Sequence, residues 1–123
     1  MGKYIQRLGE LGMSDLAKVG GKNASLGEML RELTAVGVRV PDGFATTTEA
    51  FHAFVESAGL GERVRAKLSA IDVEDVTALT RAGKEIRSLI LGARLPEDLS
   101  LEVREAYQSL SGGASDRSFA IRS

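Results

Sequence analysis

Lys22 stands directly behind two glycines, at the head of an apolar-periodic run. The stretch reads Val19-Gly20-Gly21-Lys22-Asn23-Ala24-Ser25-Leu26-Gly27-Glu28-Met29-Leu30. Gly20 and Gly21 permit a sharp bend and the close approach of a ligand to the backbone. Leu26, Met29, Leu30 and Leu33 follow at i, i+3, i+4 and i+7, the stripe of an amphipathic helix predicted over residues 21–36. The first turn of such a helix carries unpaired N–H groups and a partial positive charge, which favour an anion. Lys22 adds a full charge at the same point. The chemistry this suggests is phosphate binding. The spacing is not that of a P-loop, because the positions that need Gly and Ser or Thr hold Leu16 and Asn23. Taken locally, the pattern also fits a glycine turn beside a solvated lysine.

Arg122 is the second candidate. It closes the run Ser118-Phe119-Ala120-Ile121-Arg122, which alternates as a strand with Phe119 and Ile121 on one side and Arg122 on the other. A guanidinium grips phosphate oxygens at two points at once. Alone it reads as a surface arginine; beside Lys22 in space it would complete a triphosphate clamp.

The remaining chemistry is sparse. His52 is the single histidine, flanked by Phe51, Ala53 and Phe54 with no orienting carboxylate in view, and reads as a helix-surface residue. Glu28 with Glu32, and Glu102 with Glu105, lie about one helical turn apart and read as solvated faces. Ser25 has no visible base. One histidine and no cysteine leave no metal site to predict.

These residues need elements to hold them. Tyr4–Leu8 reads as a short strand and Gly9–Lys18 as a loop with Ser14-Asp15 as turn formers. The 21–36 helix stops at Gly37. Val38-Arg39-Val40 reads as a strand, Pro41-Asp42-Gly43 as its break, and Phe44-Ala45-Thr46 as another strand. Thr46 and Glu49 form a predicted capping box for a helix with Phe51, Phe54, Val55 and Ala58 on one face, ended by Gly59. Leu60, Val64, Leu68 and Ile71 make a further stripe. Asp72 and Asp75 read as cap and N3 of the next helix, which carries Val76, Leu79, Ile86 and Ile90 and ends near Gly92. Its interior Gly83 suggests close packing against a neighbour. Pro96 fits the first position of a last helix, with Glu97 and Asp98 at its positive end and Leu99, Val103, Ala106 and Leu110 buried. Gly112-Gly113 close it. The fold class predicted is α+β, mostly helical, with a few short strands that belong to a larger sheet and one shared core.

Composition narrows the classes. The chain has 123 residues, 43% hydrophobic and 27% charged, with a net charge of −1. That fits one modest soluble domain. No basic excess points to nucleic acid or an anionic membrane. The N-terminus lacks the apolar core of a signal peptide and no run has membrane-spanning length, so the cytoplasm is expected. The final strand is barely finished at Ser123, so the chain reads as truncated at its C-terminus.

Three blocks, Val19–Met29, Val38–Thr47 and Phe119–Ser123, occur in the order and rough spacing found in phosphoenolpyruvate synthases (pyruvate, water dikinases). The chain resembles the start of their N-terminal ATP-binding domain, which is related to the ATP-grasp fold, over essentially all 123 residues. The resemblance implies that ATP is cleaved to AMP and phosphate while pyruvate becomes phosphoenolpyruvate, through a phosphohistidine on a separate swivelling domain. It implies that Lys22 and Arg122 contact ATP phosphates, with Gly20, Gly21 and Asn23 completing the ATP-binding set. The Mg2+ ligands, the histidine domain and the pyruvate-binding barrel would lie beyond Ser123. His52 does not match the catalytic histidine, so no catalytic residue is expected in these residues. Pyruvate phosphate dikinases and rifampicin phosphotransferases share the Gly-Gly-Lys region, but the Asn-Ala-Ser-Leu-Gly-Glu-Met continuation is most similar to the synthases. The competing class is a non-catalytic module that folds or binds a partner without turnover.

Overall fold

Two short strands, β1 (Ile5–Arg7) and β2 (Phe44–Thr46), pair antiparallel in the computed structural model, which describes residues 2–114 and 116–123. Gln6 faces Ala45 across the ladder, and Ile5 and Arg7 face Thr46 and Phe44. Main-chain bonds extend it at both ends, from Leu8 N–H to the Gly43 carbonyl (3.0 Å) and from Thr47 N–H to the Tyr4 carbonyl (2.9 Å). The helices, among the described residues, are α1 (Leu16–Val19), α2 (Gly21–Ala35), α3 (Thr48–Ser57), α4 (Leu60–Ser69), α5 (Val76–Gly92) and α6 (Glu97–Ser111). The fold is α+β and mostly helical, as the patterning predicts. No helix among the described residues is long and apolar enough to cross a membrane.

The chain divides into two compact units, Met1–Ala50 with Glu97–Ser123, and Phe51–Pro96. In the first, Leu11, Val19, Ala24 and Ala45 form a buried cluster with Leu8 packed against it. The expected loop Gly9–Lys18 is instead two 3-10 turns, Leu8–Glu10 and Met13–Asp15, running into α1. Asp15 Oδ2 starts the second turn by accepting the Gly12 N–H at 3.0 Å.

α2 buries Ala24, Gly27 and Leu30. This face is rotated from the predicted Leu26, Met29, Leu30, Leu33 stripe, of which Leu30 alone is fully buried. The reason is close approach. A Cβ on Gly27 would lie 2.6 Å from both the Leu11 Cβ and the Leu11 carbonyl oxygen, and 2.7 Å from the Leu8 carbonyl oxygen. The helix therefore sits on its small residues, and Met29 is left 43% exposed.

Two predicted strands do not form. Val38–Val40 is irregular, because the Val38 N–H donates to the Leu33 carbonyl (2.9 Å) and the Gly37 N–H to that of Thr34 (3.1 Å). That is the Schellman ending of α2, and it uses the amide a strand would need. Residues 118–122 join neither β1 nor β2, so the sheet of the described residues has two strands.

The predicted caps shift by a residue or more. Thr46 lies within β2, and the α3 N-terminus is capped by Thr47, whose Oγ1 accepts the Ala50 N–H at 3.2 Å. α5 is capped by Asp75, which accepts the Ala78 N–H at 3.2 Å, while Asp72 is spent on a local turn with the Glu74 N–H at 3.0 Å. α6 starts one residue after Pro96 and buries Leu99 and Ala106. Three of its polar residues tie it to the N-terminal strand. Asp98 accepts from Tyr4 Oη (3.2 Å), Glu102 from the Tyr4 N–H (3.3 Å) and Ser109 Oγ from Arg7 Nη1 (3.2 Å).

In the second unit α4 packs on α5, with Lys67 Nζ 2.9 Å from Glu85 Oε2. Val76, Leu79 and Ile90 of the predicted stripe remain substantially exposed. Gly83 meets no tight neighbour: a Cβ there would find Arg87 Nη1 at 3.4 Å, the far end of a flexible chain.

Candidate functional site

Gly20 joins α1 to α2 with φ 82 and ψ 166, a backbone region open essentially to glycine. Its N–H closes α1 on the Leu16 carbonyl (2.8 Å), and its carbonyl receives the Ala24 N–H (3.0 Å) to open α2. The glycine thus cuts what would be one helix into two and creates a new N-terminus at Gly21. No side chain caps that N-terminus and no acidic residue stands in its first turn. The N–H groups of Gly21, Lys22 and Asn23 are those an α-helix leaves without internal partners.

A groove of about 400 Å³ opens beside this helix start, lined by Gly21, Lys22, Ser25, Leu26, Met29 and Arg122. Positions 22, 25, 26 and 29 share one helix face by their spacing. Arg122 comes from the far end of the chain. Lys22 Nζ donates to the Ser123 carbonyl at 2.9 Å, which holds residues 122–123 against the start of α2. Further back on the same segment, the Phe119 ring lies against Tyr107 of α6, with centroids 4.8 Å apart. Lys22 and Arg122, singled out separately in the sequence, therefore meet in one groove.

The other predicted residues take different places. Gly21 lines the groove; Gly20 is the hinge behind it. Asn23 is not part of the lining: its Nδ2 donates to the Val19 carbonyl at 2.9 Å, satisfying the end of α1. His52 is exposed on α3, its ring 6.0 Å from that of Phe51. Glu28 and Glu102 are not merely solvated. Glu28 accepts the Met13 N–H (3.2 Å) and pairs with Arg31 (3.1 Å), and Glu102 holds the Tyr4 amide. Ser25, Leu26 and Met29 were not expected at the site. The signal was present, since each lies three, four or seven positions after Lys22.

Two cations sharing a lining with Leu26 and Met29 suit a polyanion that carries an apolar part. Among the described residues the lining holds no carboxylate, and no group of three or more His, Cys, Asp or Glu gathers to hold a metal. The lining thus fits phosphate oxygens and does not fit a Mg2+ ion.

A family model described as pyruvate phosphate dikinase, AMP/ATP-binding domain, matches residues 16–123, which takes in α1, α2 and Arg122. The chain belongs to this family. Phosphoenolpyruvate synthase of Pseudomonas aeruginosa is 46% identical over 123 residues, which is 100% of this chain and 16% of that protein. The synthase of Neisseria meningitidis is 51% identical over 122 residues, 98% of this chain and 15% of that protein. That of Escherichia coli is 46% identical over 114 residues, 93% and 14%. The chain therefore spans about a sixth of the length of these dikinase-family relatives, and the similarity expected from the three sequence blocks extends over the whole chain.

Proposed function

We propose that the groove at the start of α2 contacts the phosphates of ATP in a phosphoenolpyruvate synthase, a pyruvate, water dikinase that converts ATP, pyruvate and water to AMP, phosphate and phosphoenolpyruvate. The observation that carries this reading is the meeting of Lys22 and Arg122 beside an uncapped helix N-terminus. In the proposal the Lys22 ammonium and the Arg122 guanidinium neutralise charge on the phosphoryl oxygens, and the Gly21 and Lys22 N–H groups add fixed dipoles. Phosphoryl transfer needs little more from a protein than such positioning and charge stabilisation. Gly20 sets the turn. Asn23 offers its main-chain N–H, while its side-chain Nδ2 donates to the Val19 carbonyl.

The finer assignments belong to the same proposal. The 123 residues form the N-terminal portion of an ATP-grasp-related domain in a cytoplasmic enzyme of gluconeogenesis. The phosphohistidine, the pyruvate site and the ligands of Mg2+ are supplied elsewhere in the protein. The test is pyruvate-dependent formation of AMP from ATP by the intact protein. AMP formation that requires pyruvate and collapses with Arg122→Ala supports the reading. Transfer to an antibiotic hydroxyl in place of pyruvate would move the protein to another branch of the family, and the absence of any ATP cleavage would overturn it.

A further inference from the structure

We propose that Tyr107 is a positioning residue for Arg122, acting through Phe119. The inference rests on the ATP reading above and adds to it a side chain outside the groove. Residues 117–123 belong to no helix or strand, so backbone pairing does not fix Arg122 in place. Among the described residues, the Phe119 ring on Tyr107 and the Lys22 bond to the Ser123 carbonyl tie the segment to the helices beside it. The alternating pair is packed unequally. Phe119 is 38% exposed, whereas Ile121 is 96% exposed. Phe119 is therefore the anchor of the segment, and Arg122 follows it by three residues, a reach of at most about 10 Å of extended chain.

The anchor is useful only if its base is firm. Tyr107 rides on α6, which is held to the N-terminal strand through Asp98, Glu102 and Ser109. That strand runs directly into the Leu8–Leu11 turn, against which Gly27 of α2 is packed. The frame is thus continuous from Tyr107 to the helix that carries Lys22. Ordering a loose arginine at the moment of binding costs conformational entropy, and a pre-placed one avoids that cost. The Tyr107 ring supplies the pre-placement; its hydroxyl is not needed for it.

The experiment is a mutant cycle on ATP kinetics in the intact protein. Tyr107→Ala is expected to raise KM for ATP about two- to tenfold, the range open to one aromatic pair, with kcat changed less. Tyr107→Phe restores the KM. In an Arg122→Ala background the Tyr107→Ala change adds less than about twofold, because the residue it positions is gone. Phe119→Ala, on an exposed segment, replaces Tyr107→Ala in the cycle if the latter fails to fold. Arg122→Ala impaired while Tyr107→Ala and Phe119→Ala are normal would overturn the positioning role alone. So would full additivity, or a Tyr107→Phe variant as impaired as Tyr107→Ala. An Arg122→Ala protein with normal KM and kcat would instead overturn the ATP reading on which the role depends.

Discussion

Gly27 and Leu11 meet with no room for a side chain between them: a Cβ on Gly27 would lie 2.6 Å from both the Leu11 Cβ and the Leu11 carbonyl oxygen. The Leu8 carbonyl oxygen stands 2.7 Å from the same point. Two of these three neighbours are backbone atoms, which cannot swing aside. Gly27→Ala should therefore push α2 off the turn beneath it and destabilise the protein by roughly 1–3 kcal/mol, an overpacking cost. The helix propensity gained by alanine, up to about 1 kcal/mol, offsets part of this but not all. Chemical denaturation checks it. An unchanged or raised midpoint would show that the helix is not seated on this glycine.

The same contact explains what was legible in the sequence and what was not. The 3.6-residue period gave α2 its span and Gly37 its end, since both are local properties. The period points to the larger apolar residues, however, and α2 packs through Ala24 and Gly27 because its partner is a backbone turn. Lys22 was legible from two glycines and a helix start. The apolar floor was not, because Leu26 and Met29 are the residues one assigns to a core. Val38-Arg39-Val40 failed as a strand because its first amide is used to end α2. The alternation of Phe119 and Ile121 is real, but only Phe119 finds a partner among the described residues, in Tyr107.

Thr46 and Thr47 separate two readings of one helix start. Thr47 is 3% exposed; its Oγ1 accepts the Ala50 N–H at 3.2 Å and donates to the Lys3 carbonyl at 2.9 Å. Thr47→Ala loses both and should cost about 1–2 kcal/mol. Thr47→Ser keeps the hydroxyl and should recover most of it. Thr46 is exposed in β2, so Thr46→Ala should cost less than half as much. Thermal unfolding of the three variants decides it, and a larger loss at Thr46 would place the cap one residue earlier.

Lys22 is exposed, and among the described residues its ammonium makes one bond, to the Ser123 carbonyl. Surface bonds of this kind contribute little to folding. Lys22→Ala should leave the unfolding midpoint within experimental scatter. In the proposed site the same change removes a positioned charge from the transferring phosphates. By analogy with loss of one oxyanion donor this costs about 2–4 kcal/mol, or on the order of a hundred- to thousandfold in kcat/KM for ATP. Near-normal turnover with an intact fold would remove Lys22 from the site.

The last prediction concerns magnesium and these 123 residues by themselves. The lining side chains offer two cations and no carboxylate among the described residues, and in the isolated chain the Ser123 oxygen bonded to Lys22 at 2.9 Å belongs to the terminal carboxylate, which ATP must displace. Free ATP brings its full negative charge to Lys22 and Arg122. Mg2+ neutralises part of that charge, and no side chain of the described lining returns a carboxylate to the ion. The sign follows from charge alone: Mg2+ should weaken ATP binding to the isolated chain, opposite to its role in a complete phosphoryl-transfer site, where the ion bridges phosphates and protein. Binding of free ATP should itself be weak and fall with added salt, because the charges that attract it are exposed and screened. Calorimetric titration of the chain with ATP, with and without Mg2+, reads both effects, and no AMP should form in either mixture. Micromolar binding that tightens on adding Mg2+ would mean that carboxylates of this chain reach the groove, and that the site is more complete than its lining residues imply.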